Sequence, residues 1–151
     1  MRRKVSRAIL GYFDLFLAVG AIYNGLLMVL GMWWNGEWPT VWVDRVPFNS
    51  WFWPGIIAVC IYGIGNLVAA YYSFSKNEKG YIASGVMGGF FFLSLLASFV
   101  VLGEGYLATF MFIILSLIQM ILTFFAKIES NVGSIVVILG LLYFIGRKTF
   151  L

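Results

Sequence analysis

The chain has no histidine and one cysteine among its 151 residues, and charged residues make up only 11% of it. Without histidine, imidazole acid–base catalysis and the commonest zinc sites are excluded. Cys60 stands alone inside an apolar run, so no disulfide closes within the chain and no redox compartment follows. Acidic residues number six, and no two fall at a helical spacing that would make a paired-carboxylate site. The glycines lie inside hydrophobic runs and lack the Lys-Ser/Thr of a phosphate-binding loop. These absences argue against an enzyme, and they point to no cofactor and no metal.

What is present is apolar. Hydrophobic residues reach 62%, against about 45–50% in ordinary soluble domains. The composition is that of an integral membrane protein, a single domain over residues 1–151 whose first partner is the lipid bilayer. The formal charge of +4 does not indicate nucleic acid. Arg2, Arg3, Lys4 and Arg7 crowd in front of the first apolar run, where basic residues set orientation, and no basic stripe interleaved with aromatics occurs elsewhere.

The apolar runs predict an all-α, antiparallel helical bundle. Helix 1 runs from Ile9 to Met32, long enough at about 1.5 Å per residue to cross a core about 30 Å thick. It exceeds the apolar core of a signal peptide and no small-x-small cleavage site follows, so it is expected to be retained. Helix 2 covers Trp53 to Phe74, with Pro54 in its first turn, where a missing N–H costs nothing. Helix 3 covers Tyr81 to Leu102, and "GEG" is so short that helix 4, Tyr106 to Ala126, returns beside it. After "KIESNVG" comes a fifth apolar segment, Ser134 to Gly146. It is short for a span, at about 20 Å of helix, and apolar on every side, so it is expected as a short embedded helix, crossing, re-entrant or laterally packed.

Lysine and arginine counts orient the bundle. The N-terminus, Lys76 and Lys79 of the helix 2–3 connection, and Lys127 outweigh Arg45 in the helix 1–2 connection. A multi-pass protein of the cell membrane with a cytoplasmic N-terminus is expected. All six tryptophans then lie at the outer side: Trp33, Trp34, Trp38, Trp42, Trp51 and Trp53. Amphipathic rings prefer the headgroup region, so these six are expected as interface anchors, one half of an aromatic belt. Trp38 and Trp42, at i,i+4, predict a short helix or extended flap over the bundle.

The stretches "LAVGAIYNGL" and "VPFNSWFWPGIIAVCIYGIGNLVAA" resemble a broad group of small bacterial four-helix membrane proteins of unassigned function, over about the first 75 residues. The resemblance implies a bacterial inner-membrane location and a four-helix core. It brings no catalytic residue. The fifth segment and the Trp-rich connection depart from the group's shorter members.

Small-residue pairs recur on the helices: Ala21/Gly25, Gly65/Ala69, Ser84/Gly88 and Gly85/Gly89. They suit close helix packing, within the bundle or between copies in a homo-oligomer. The buried polar candidates are Asp14 and Asn24 on helix 1, Asn66 on helix 2, Ser94 and Ser98 on helix 3, and Ser116 and Gln119 on helix 4. Asn24 and Asn66 sit at similar depths on neighbouring helices, where an interhelical hydrogen bond is geometrically possible. Asp14 is the only acid inside a predicted span and so the first candidate for an ion or proton site. Two functions remain: a non-enzymatic accessory or structural partner of a larger membrane system, or a small oligomeric transporter or channel using Asp14 and its polar companions.

Overall fold

A computed structural model of the chain describes residues 2–103, 105 and 107–149, with side chains for 6–33, 35–103, 105 and 107–128. Helices dominate. Helix α1 is Arg2–Val29, α2 is Phe52–Phe74, α3 is Lys79–Leu102 and α4 is Leu107–Thr149. Each contains a stretch long and apolar enough to cross a membrane.

The structure departs from the sequence expectation most at the start of α1, within α2 and along α4. Helix α1 starts near Arg2 because arginine and lysine are good helix formers and continue a helix beyond its apolar part. Inside α2, the turn Ala58–Gly63 is widened to π geometry. The expected division into a helix 4 and a separate fifth helix is absent: α4 is one helix of 43 residues. "KIESN" is polar, and polar residues do not by themselves end a helix. What does is proline or a left-handed glycine, and the chain's three prolines all lie before residue 55. The side chains of 134–146 lie outside the described residues.

The helices form a ring in which α1 touches α2 and α4, and α3 touches α2 and α4. The diagonals are α1 to α3 and α2 to α4. Glycine sets the closest approach. A Cβ on Gly25 would fall 2.8 Å from the Gly55 carbonyl oxygen, and one on Gly55 would fall 2.7 Å from that of Gly25, so here α1 and α2 touch through their backbones. Gly88 makes room for Met120 and Gln119 of α4, whereas Gly89 faces nothing within 4 Å.

Polarity is inverted relative to a soluble domain. Tyr12, Phe16 and Val19 of α1, Ile82 and Val86 of α3, and Ile121 and Phe124 of α4 point outward and are exposed. Asp14, Asn66, Ser84, Ser116 and Gln119 are buried. Water would reject this arrangement. A lipid solvent favours it, since the outer surface then needs no hydrogen-bonding partners.

The two ends are closed by arginines that reach helix C-termini, where unpaired carbonyls attract cations. Arg7 Nη1 donates to the Lys76 carbonyl oxygen at 2.7 Å, and its Nε donates to the Tyr81 hydroxyl. At the opposite end, Arg45 Nη1 donates to the Leu102 carbonyl oxygen, just before Gly103 turns the chain with φ +67°. Arg45 belongs to the α1–α2 connection, so this contact ties the connection onto α3.

That connection contains two 3-10 turns, Trp33–Gly36 and Thr40–Trp42. Trp38, Trp42 and Trp51 fold on one another, with ring centroids 5.6, 4.9 and 5.6 Å apart and edge-to-face geometry. Trp51 is buried and its Nε1 donates to the Glu37 carbonyl oxygen at 2.6 Å. Trp53 is exposed and Trp33 half-buried. The ring of Trp34 lies outside the described residues.

Candidate functional site

A polar cluster occupies the bundle interior toward the Arg7 end, and each of the four helices contributes one residue. Asp14 of α1, Ser84 of α3 and Gln119 of α4 are 0% exposed and Asn66 of α2 is 2% exposed. Ser84 Oγ donates to Asp14 Oδ2. Gln119 Nε2 donates to Asp14 Oδ1 at 2.8 Å and to Asn66 Oδ1 at 2.7 Å. Asp14 and Ser84 therefore bridge one diagonal of the ring, Gln119 and Asn66 bridge the other, and the Gln119–Asp14 bond joins the two.

Local backbone features aim these side chains. Asn66 Nδ2 donates at 2.8 Å to the Tyr62 carbonyl oxygen, which lies within the π turn of α2. With its N–H group engaged there, Asn66 presents Oδ1 to the interior. Gln119 fits because Gly88 opposite has no side chain: a Cβ there would lie 3.3 Å from Gln119 Oε1 and 3.1 Å from Met120 Cγ. The carboxamide orientation is fixed by two acceptors, since turning it over would set an oxygen against two oxygens. One atom is left out. Gln119 Oε1 is buried with no hydrogen-bond partner.

The cluster can hold positive charge or a proton. Asp14 is a carboxylate whose two hydrogen bonds come from neutral donors. Arg7, two turns earlier on α1, is engaged with Tyr81 and Lys76. Beside the cluster, a groove of about 510 Å³ opens between α3 and α4, lined among others by Glu78, Gly85, Met120, Thr123 and Lys127. Gly85 follows Ser84 in the chain, and Thr123 donates to the Gln119 carbonyl oxygen at 2.8 Å, so the groove reaches residues adjoining the cluster.

Of the residues singled out in the sequence, Asp14, Asn66 and Gln119 come together. Asn24 does not join them: it is half-buried and donates to the Gly20 carbonyl oxygen of its own helix at 2.8 Å. The Asn24–Asn66 bond that their similar depths made possible is not formed: each amide donates to a carbonyl of its own helix. Ser94, Ser98 and Ser116 likewise donate to carbonyls of their own helices. Sequence reasoning missed Ser84 as a partner of Asp14, having read it as a small packing residue, and it missed the buried Ser73 and Thr123. Thr123 carried a signal, since it stands one turn after Gln119. Among the described residues no group of three or more His, Cys, Asp or Glu could hold a metal ion. Comparison with protein-family models, curated proteins and solved structures finds no match.

Proposed function

We propose that the chain is a multi-pass membrane protein that binds a proton or small cation at Asp14 during ion-coupled transport, without enzymatic activity. The supporting observation is the completely buried carboxylate, linked directly or through Gln119 to one side chain from each of the other three helices. Tying helices together does not require an acid. Amides and hydroxyls do so at a smaller desolvation cost, and an ionisable group kept inside a membrane bundle is by default a functional one. The basic residues before α1 and in the α2–α3 connection support a cytoplasmic N-terminus. The resemblance over the first 75 residues supports a bacterial inner membrane, and the tryptophan-rich connection then lies in the outer interface as an anchor.

Asp14→Asn tests this reading. In reconstituted vesicles the wild type is expected to carry a proton- or cation-coupled flux, and the variant to lose it while keeping its helical content. Absence of flux in the wild type under every proton and alkali-cation gradient would overturn it. A second reading, an accessory subunit of a larger membrane assembly or a homo-oligomer, is favoured by α4. At 43 residues it is about twice the length that one crossing of a bilayer needs.

A further inference from the structure

We infer that Asp14, Asn66 and Gln119 form an occluded binding site for one dehydrated monovalent cation, and that the Gln119 N–H₂ group holds the cation's place in the arrangement described above. The inference rests on the ion-coupled reading and narrows it to an alkali cation.

A hydrogen-bond donor and a dehydrated cation require the same surroundings, which are lone pairs converging from several sides. Gln119 Nε2 has them, with Asp14 Oδ1 at 2.8 Å and Asn66 Oδ1 at 2.7 Å. A third oxygen is at hand. Gln119 Oε1 is buried and unpartnered, and a half-turn of the carboxamide about its last bond, with the side chain drawing back, would aim Oε1 at the vacated position, so that a cation there meets three oxygens. In either state one amide atom faces Gly88, where no Cβ obstructs the turn.

Charge selects the valence. Asp14 is the only carboxylate in the cluster, so a single positive charge is neutralised, while a divalent ion would leave one charge uncompensated in a low-dielectric interior. The convergence of oxygens favours a cation over a proton. A proton needs a single acceptor, which the Ser84 hydroxyl supplies by rotating its hydrogen away, so it has no use for Asn66 Oδ1, which faces the same point as Asp14 Oδ1. A cation displaces only the Gln119 amide and leaves Ser84 donating to Oδ2. Ser84 is thus a positioning residue for the carboxylate.

The test uses the full chain, purified in detergent and held at one pH and one ionic strength. Its thermal unfolding is followed in lithium, sodium, potassium and N-methylglucamine chlorides. A ligand that binds only the folded state raises the midpoint in a saturable way. At least one alkali cation is expected to raise it by several degrees over N-methylglucamine, with a preference among the three. Asp14→Asn should abolish the difference. Ser84→Ala, which preserves every ligand oxygen, should weaken the apparent affinity about tenfold. Gln119→Glu, which adds a second carboxylate, should transfer the stabilisation to calcium or magnesium. Equal midpoints in all four salts, or an alkali effect that survives Asp14→Asn, would overturn the inference. Midpoints that follow pH and ignore the salt would also overturn it, while leaving ion coupling standing with the proton as the ion. An alkali-specific shift without flux in vesicles would support the site and remove the transport reading.

Discussion

The two halves of the bundle are held by different chemistry. Toward the tryptophan end, α1 and α2 meet through bare backbone at Gly25 and Gly55. There the packing is aromatic: Tyr62 lies 5.0 Å from Phe91 and Phe91 lies 5.9 Å from Phe112, centroid to centroid, with the three folded tryptophans beyond. Toward the Arg7 end, the helices are joined by side-chain hydrogen bonds that run across both diagonals. Lipid tails are as apolar as leucine, so burial of apolar side chains gives helices no drive to associate, and close backbone packing and buried polar bonds are the two remedies. The first is indifferent to ions. The second places oxygen atoms where an ion can bind, which makes one half of the molecule a frame and the other a candidate site.

The largest expected effect breaks the frame. Gly55→Leu would force a side chain into the Gly25 carbonyl oxygen and the side chains of Met28 and Val29, all under 3.0 Å from the position of its Cβ. Backbone cannot yield as a rotamer does, so a loss of about 3 kcal/mol is expected, at the upper end for overpacking. Unfolding in mixed detergent micelles would measure it. A loss independent of the salt present would mark this half as the frame, and a stability equal to the wild type's would show that the helices do not touch here.

A smaller effect tests the other half. Gln119→Leu removes the donor shared by Asp14 and Asn66 and leaves two buried acceptors without it. A loss of about 1.5 kcal/mol is expected, within the range for interhelical hydrogen bonds in membranes and for orphaned polar groups. The comparison sharpens if this loss, unlike that of Gly55→Leu, changes when the most stabilising alkali cation replaces N-methylglucamine. A loss that is the same in both salts would make the cluster a second frame.

Much of this architecture is legible in the sequence, and the exceptions have physical causes. The four apolar runs appear in the structure as helices because run length and composition carry that information without reference to any neighbour. Asp14, Asn66 and Gln119 stand out for the same reason, as polar residues in apolar surroundings. Their pairing is a different matter. Asn24 and Asn66 lie at comparable depths, and which of them faces the interior depends on helix rotation, which is set by Gly25 against Gly55 and by the π turn before Asn66. Ser84 was hidden because a serine in a helix usually satisfies itself on the preceding turn, as Ser94 and Ser98 do. The continuity of α4 was missed because a polar interruption in an apolar run reads as a loop, although nothing in "KIESN" stops a helix.

The smallest expected effect concerns Gly89, which shares the GxxxG spacing with Gly85. Gly85 would place a Cβ 3.4 Å from Thr123 Cγ2, an ordinary contact, whereas a Cβ on Gly89 meets nothing within 4 Å. The spacing therefore does no packing work at Gly89 within one copy of the chain. Gly89→Ala should leave stability unchanged or raise it by up to about 1 kcal/mol, because alanine is the better helix former and no neighbour resists it. The measurement is the unfolding midpoint together with the mass of the purified protein in detergent. If the substitution lowers stability or changes the oligomeric mass, a second copy must sit against this face of α3. The distinction between an ion-indifferent frame and a polar interior would then have to be drawn for the oligomer, with Gly89 belonging to the frame.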